Sequence, residues 1–563
     1  MKGGFGAGNI PSHSFYENKA FRHGDIEDTL SELVKKSSGL FGRGAKFGGL
    51  DIKRIYFVLM ISLAQAMDVA ALSKLDKQTI LNVVMGLGFL ANGYATGEFE
   101  VTDERLGVYL CTEHIDNPKG YAADQPNGDA RKFDKRLRGP VRDVELEVDF
   151  QTGMKNYIAN ERGNWDTSTG LIKERVAQCI EKGRRGRKKG DDADVYEAYR
   201  LLGTLLHTLE DFPAHSNWCE LSLNRLGFSQ VFTHVGDNVR IQTPAGLAPP
   251  IVTGTFGGSD FMHSLLGEAT DKLSEASVSD LQRAMNSVRS SRSIGGGGNS
   301  DQELENLLGQ VPGNNGFSRD INNLRNIRAR ADNGQQLSPQ ELHATMWQVL
   351  LFRDNVMKGI ENTIEKIPGL SALVEKISLS VNKFVFTVLE PLLKPILGST
   401  STILQTGSAQ VINNAEQYEV FDNPNASDPT HSYLSKDHFN LILNEPAGLI
   451  ACVILKHTVK AIVEAWEDDN IDPRQVGEKV CEAIHHPYFY NNRSAVQQEM
   501  GATLKSWMDA QDDKNYVLNA LTKDSVRNHK NKRKGAPDDG STGCHGMQTP
   551  YVSVLIACRR IIK

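Results

Sequence analysis

Tyr199-Arg-Leu-Leu-Gly-Thr-Leu-Leu-His207-Thr-Leu-Glu-Asp211-Phe-Pro-Ala-His215-Ser-Asn-Trp-Cys-Glu220 is the stretch on which the fold turns. Its first half is apolar at most positions and free of helix breakers until Pro213, so it reads as a buried helix. That helix ends in imidazole and carboxylate groups. His207 and Asp211 are i,i+4 neighbours and share a face. Pro213 lacks a backbone donor and disfavours a helical Phe212, so a kink is expected there. His215 and Glu220 would then approach from a second direction. Ligands converging from different helices are what a metal site in a helical protein requires.

Outward from this segment, helical periodicity dominates. Alternation typical of strands is confined mainly to 142–150 and 238–244. The expected fold is mostly α, with a large multi-helix metal-binding N-terminal domain and a second helical domain. Boundaries follow composition. Residues 1–288 form the first domain. Residues 289–338, polar and containing Gly295-Gly-Gly-Gly298, form a flexible linker. Residues 339–515 are helical again, and 516–563 form a weakly ordered tail.

The chain has 563 residues, 39% of them hydrophobic and 23% charged, with a net charge of −6, which argues against a general nucleic-acid binder. The basic run Arg184-Arg-Gly-Arg-Lys-Lys189 is answered at once by Asp191, Asp192 and Asp194, and reads as a solvated loop. Seven scattered cysteines without a CxxC argue against a thiolate zinc cluster or a disulfide framework. The glycine-rich N-terminus lacks the apolar stretch of a secretory signal, so synthesis in the cytoplasm and another route of export or release are expected.

Further imidazoles and carboxylates accompany the central segment. His23, Asp25, Glu27 and Asp28 stand together in Arg22-His-Gly-Asp-Ile-Glu-Asp28. Asp68 is a lone carboxylate on an apolar helix, where an unpaired charge is costly. His114 lies in Glu113-His-Ile-Asp116, His234 follows Phe232-Thr, and Asp260 and His263 are i,i+3. Asp428-Pro-Thr-His431 with Asp437-His438 forms a further group. The metal-ligand candidates are therefore His23, Asp25, Glu27, Asp28, Asp68, His114, His207, Asp211, His215, Glu220, His234, Asp260 and His263. Mixed imidazole and carboxylate donors suit Zn²⁺, Fe or Mn²⁺, whereas the all-oxygen trio Asp25, Glu27 and Asp28 suits Ca²⁺. The expected cofactor is thus a divalent metal, Ca²⁺ or Zn²⁺. There is no HExxH, EF-hand or GxSxG motif, and no residue is assigned a catalytic role.

Three apolar stretches bear on membranes. Residues 55–72 reach the lower length limit of a spanning helix, with Gln65 and Asp68 within them, and 80–90 could pair with them as a hairpin, although composition alone favours both as core of a large helical domain. Residues 373–397 carry an apolar helical stripe interrupted at Pro391 and Pro395, fit for a core, an oligomer interface or a bilayer surface.

These motifs resemble the HET-C family. The resemblance is carried by Phe5-Gly-Ala-Gly-Asn9, Arg22–Asp28, Glu113-His-Ile-Asp-Asn-Pro-Lys-Gly-Tyr121, Gly153-Met-Lys-Asn-Tyr-Ile158, His207–Asn217, His263-Ser-Leu-Leu-Gly-Glu268, Asp428–Ser432 and Lys436-Asp-His-Phe439. It implies a part in heterokaryon incompatibility, a non-self recognition ending in cell death, or in a bacterial-type toxin acting at membranes. One departure follows Tyr56-Phe57, where Val-Leu-Met-Ile-Ser-Leu replaces the polar, Trp-containing stretch usual in the family. A weaker resemblance links His207, Asp211 and His215 to the helical zinc phospholipase C and P1-nuclease fold, although a later HxxxE is missing. The leading expectation is a metal-dependent toxin that forms homo-oligomers and permeabilises the bilayer of a target cell, with no nucleic-acid partner. The alternative is a zinc-dependent phospholipase C-like phosphodiesterase.

Overall fold

The computed structural model describes residues 75–92, 107–190, 192–255, 299–309, 317–333, 337–363, 415–436 and 440–534, with isolated positions at 72, 102–104 and between 373 and 395. The chain is mostly helical. Among the described residues, the strands are two short antiparallel hairpins, Val148–Asp149 with Met154–Lys155 and Ile241–Thr243 with Gly246–Ala248. Both begin inside the two segments whose alternation suggested strands.

Two compact units divide the chain discontinuously. The first combines Met1–Ala71, Val108–Glu268 and Gln405–Lys563, and the second combines Leu72–Gly107 with Ala269–Leu404. This partition differs from the contiguous domains at 1–288 and 339–515. The reason is packing: the apolar helix Lys77–Asn92 lies against the later helix Pro339–Thr363, and the Asn82 side chain donates to the Pro339 carbonyl at 2.8 Å. Segments taken for a flexible linker and a weakly ordered tail also carry helices, Asn299–Leu308, Phe317–Asp332, Lys514–Ala520 and Lys523–Arg527.

In the first unit, the helix Ser168–Lys189 packs along Asp192–His215, and Asn444–Glu467 lies against both. Ser168–Lys189 starts because the Thr167 hydroxyl accepts from the Gly170 backbone N–H. It ends at Gly190, whose φ of +65° is easy only for glycine. The basic run expected as a loop is therefore the last helical turns. Its charges complement the negative end of the helix dipole. Arg184 also donates to the carbonyls of Ala465 (2.7 Å), Asp468 (2.8 Å) and Ile471 (2.7 Å), satisfying acceptors left open where the Asn444–Glu467 helix ends.

The Asp192–His215 helix continues through Pro213 to His215 rather than ending where a kink is expected. Burial explains the difference. Leu205, Leu206, Leu209, Phe212 and Ala214 are all fully buried, and the Phe212 carbonyl accepts the Ser216 N–H at 3.2 Å beyond the proline. Tertiary packing here outweighs the local cost of proline.

Also buried in this unit, His486 is fixed as a neutral imidazole. Its Nε2–H donates to the Pro249 carbonyl at 2.8 Å, while Nδ1 accepts from the Tyr488 backbone N–H at 3.0 Å. Neighbouring His485 is buried against Trp218 and donates from Nδ1 to the Ala483 carbonyl at 3.0 Å. Burial holds both imidazoles down at about 4.

In the second unit, Ser338 and Glu341 form reciprocal capping bonds at the start of Pro339–Thr363. The apolar stripe noted at 373–397 faces inward at its described positions. Ile377, Val381, Phe384, Val385, Val388, Leu389, Leu392 and Leu393 are buried, and Phe384 meets Phe352 edge to face at 5.9 Å. Among the described residues, one helix is long and apolar enough to cross a membrane, Asn444–Glu467, and it serves as a core helix of the first unit. Residues 55–71 lie outside the described residues.

Candidate metal centre

The short helix Cys111–His114 ends at Ile115, a buried β-branched residue held at φ +52°. A left-handed β-branched residue is strained and persists only where its surroundings enforce it. The turn it makes places His114 on one side and Asp116 on the other, both directed to the end of the Asp192–His215 helix.

His114, His207 and Asp211 meet there. His114 Nδ1 is 3.2 Å and His207 Nε2 is 3.4 Å from Asp211 Oδ2, and the two nitrogens are 3.3 Å apart. Donor atoms held tetrahedrally at about 2.0–2.1 Å from one ion stand roughly 3.3 Å from each other. The observed triangle therefore has the dimensions of a ligand set. Tyr109 stacks on the His114 ring at 5.0 Å and fixes its plane.

Asp116, His215 and His431 form a second group. Asp116 Oδ1 is 3.4 Å from Nδ1 of both histidines, and its Oδ2 accepts from the Tyr109 hydroxyl at 2.9 Å. His215 Nδ1 faces the His114 carbonyl at 2.9 Å, which calls for an N–H at that nitrogen and leaves the lone pair on Nε2. A backbone carbonyl behind a ligating imidazole is a usual second partner. Both trios are groups that could hold a metal ion.

Electrostatics fit that use at the carboxylates, while the His114 imidazole must give up its proton to bind an ion. Burial pulls His114 down, but the hydrogen bond to Asp211 and the nearby carboxylates outweigh it and hold the imidazole above its ordinary value. Burial would raise Asp211 and Asp116, yet the surrounding histidines keep both low, Asp116 well below the usual carboxylate range. The carboxylates thus stay ionised, the state a metal needs.

Glu220 and His234, named from sequence among the ligand candidates, stand elsewhere. Glu220 Oε1 is 2.9 Å from Lys436 Nζ and 3.5 Å from His234 Nε2, and all three side chains are buried. Lys436 also donates to the carbonyls of Ser216 (2.8 Å) and Leu434 (3.1 Å), which uses its three protons. Burial would raise Glu220, but the Lys436 charge keeps it low; burial holds His234 down and neutral despite Glu220. Here an ammonium supplies the positive charge. His23, Asp25, Glu27, Asp28, Asp68, Asp260 and His263 lie outside the described residues.

Asp116, His431 and Lys436 were not in the ligand set read from sequence. Asp116 stood out as a neighbour of His114 and His431 as a member of the Asp428–His431 group, but nothing local to either shows that they meet 315 residues apart. The extended segment 251–255 brings them together. It bridges to Asn117, Met154, Ser216 and Thr430. The His431 N–H donates to Thr255 at 3.0 Å, and the Gly254 carbonyl accepts from Asn117 at 2.9 Å. A Cβ on Gly254 would lie 2.5 Å from His431 Cα and 2.8 Å from its backbone nitrogen. Gly254→Ala is thus expected to destabilise the protein by about 1–3 kcal/mol through overpacking. A urea unfolding midpoint equal to that of the unmodified chain would refute this close packing.

Fold and site together define a mostly helical protein whose first unit buries adjoining imidazole–carboxylate clusters able to hold metal. The family model for the heterokaryon incompatibility protein Het-C matches residues 2–535, and the chain belongs to the Het-C family. Neither the curated proteins nor the solved structures give a match.

Proposed function

We propose that this protein is a metal-dependent cell-death effector that acts on the bilayer of a target cell as a homo-oligomer, after export or release from the cell that makes it. Membership of the Het-C family supports the cell-death role. The His114–His207–Asp211 triangle is the observation that carries metal dependence, because its spacing is that of ligands around one ion. Two imidazoles with one carboxylate favour Zn²⁺ or a similar transition ion over Ca²⁺, which prefers oxygen cages. The apolar stripe of the second unit is buried, so lipid contact through it requires that unit to open.

The expected result is release of dye from liposomes by the purified protein with Zn²⁺, suppressed by chelation and by His207→Ala. No release with any divalent metal would sink the proposal. The donor set also supports a second reading, a phosphodiesterase acting on lipid head groups, since such metals promote attack of water on phosphorus. Head-group release in the same vesicles supports that reading, and leakage from vesicles with intact lipids excludes it as the cause of leakage.

A further inference from the structure

A single exposed leucine needs no explanation, but several large apolar side chains left in water at one place do. Among the described residues four are exposed: Phe150 (71%), Leu226 (41%), Leu247 (68%) and Leu351 (38%). Three of these border one short 3₁₀ turn of the first unit, Pro487–Phe489. Phe150 lies at the tip of the first hairpin. Asp149 accepts from the Gln151 N–H at 3.1 Å and the Thr152 hydroxyl at 3.0 Å, and Gly153 takes φ +72°, so the chain turns tightly and leaves Phe150 outside. A Cβ on Gly153 would stand 2.7 Å from the Phe489 ring. The Gly153 carbonyl also accepts the Ile251 N–H at 2.9 Å, which ties in the chain leaving the second hairpin. That hairpin is held to the same turn by the bond from His486 to Pro249. Its tip, Pro244–Leu247, is exposed throughout, and no charged side chain occurs from Ile241 to Thr255. Leu226 follows the helix Trp218–Arg225, and the Arg225 guanidinium donates to the Pro487 carbonyl.

The charges around these tips are of one sign. Arg225 lies over the Tyr490 ring at 4.8 Å. Burial raises the Tyr488 phenol, and the guanidinium charges of Arg225 and Arg240 both pull it back, which sets both near that hydroxyl. Arg225 and Arg240 are exposed, and among the described residues neither pairs with a carboxylate. The carboxylate next to the first tip, Asp149, is buried and already meets Arg162 at 2.6 Å. Tyr488 and Tyr490, both half-buried, therefore stand between apolar tips and unpaired guanidiniums.

We infer that this edge of the first unit docks on an anionic lipid surface, with Phe150, Leu226 and Leu247 entering the acyl boundary and Arg225 and Arg240 meeting the head groups. Apolar tips, tyrosines beside them and cations behind are the order in which a bilayer interface presents its own layers. A second copy of the chain is a poorer occupant. The three side chains expose on the order of 300 Å², well short of the about 800 Å² that each partner of a stable protein–protein interface buries. The inference rests on the bilayer action proposed above and names the surface that makes first contact. That contact needs no opening of the second unit, whose apolar stripe is buried.

The test mixes the full chain with vesicles of phosphatidylcholine, alone or with phosphatidylserine, and reads binding by flotation and leakage by dye release. Binding should be tighter with phosphatidylserine, and that gain should vanish at high salt. Arg240→Gln should lower affinity for the anionic vesicles about fivefold and leave the neutral ones unchanged. Phe150→Ser/Leu247→Ser should lower affinity for both, by roughly tenfold or more per side chain, with an unaltered urea midpoint because both residues are exposed. Leu351→Ser, in the second unit, should change nothing. A chain that floats without releasing dye keeps the docking edge and removes only the permeabilising action. A double variant that floats as well as the unmodified chain overturns the edge even if dye is released. If that variant instead breaks up an oligomer seen by light scattering without lipid, the tips meet a second copy and the inference fails. A chain that binds no vesicle overturns the edge and the bilayer reading together.

Discussion

Replacing Lys436 by methionine should destabilise the protein by about 3–5 kcal/mol, because it leaves the buried Glu220 carboxylate without its counter-charge. The side chains are similar in length, so packing is largely kept and the loss is electrostatic. Lys436 also ties Ser216 and Leu434 through their carbonyls, and its backbone N–H donates to Ala214 at 3.1 Å. The effect should therefore reach the end of the Asp192–His215 helix. Urea unfolding of the single variants and of Glu220→Gln/Lys436→Met separates the terms. The double variant should recover most of the loss, since two neutral partners carry no unpaired charge. A Lys436→Met cost below about 1 kcal/mol would show that the ammonium is not what stabilises Glu220.

Mild acid should weaken the protein well before its carboxylates titrate. His485 and His486 are held at about 4, against an ordinary 6.5. Between these values the unfolded chain takes up protons that the native state refuses, so stability falls as pH drops from 6.5 towards 4. Each histidine contributes about 3 kcal/mol to that fall. For His486 the cause is specific, because a proton on Nδ1 would face the Tyr488 N–H it now accepts from. His114 acts in the opposite sense: its raised value adds stability below 6.5 that is lost as pH rises. The test is the urea midpoint between pH 7 and 4.5. His486→Gln, which cannot titrate, should flatten the decline; an unchanged slope would remove His486 as a source of acid sensitivity.

The helical character of the chain was legible because buried helices repeat their apolar residues every three to four positions, as in Tyr199–Leu206. His207, Asp211 and His215 were legible for the same reason, since a helix fixes which neighbours share a face. Other parts of the centre had no such regularity to betray them. Asp116 reaches it through a left-handed isoleucine, a conformation that residue preference argues against. His431 reaches it through backbone pairing with a distant extended segment, and pairing of that kind leaves no local pattern. Lys436 opened one of the motifs but gave no sign that it would meet Glu220 in the interior. The continuation of the helix through Pro213 and the helical basic run were not legible because both depend on packing partners far along the chain.

The segment 251–255 also sets a schedule. It joins residues near 117, 154 and 216, all made before it, to Thr430, made much later. A growing chain can assemble the His114–His207–Asp211 corner once Thr255 has emerged, but the place opposite His215 stays vacant until His431 arrives. Closing that contact requires most of the polypeptide to exist, and domains form broadly in the order of synthesis. The second trio is therefore absent from the nascent protein and from any copy terminated before His431.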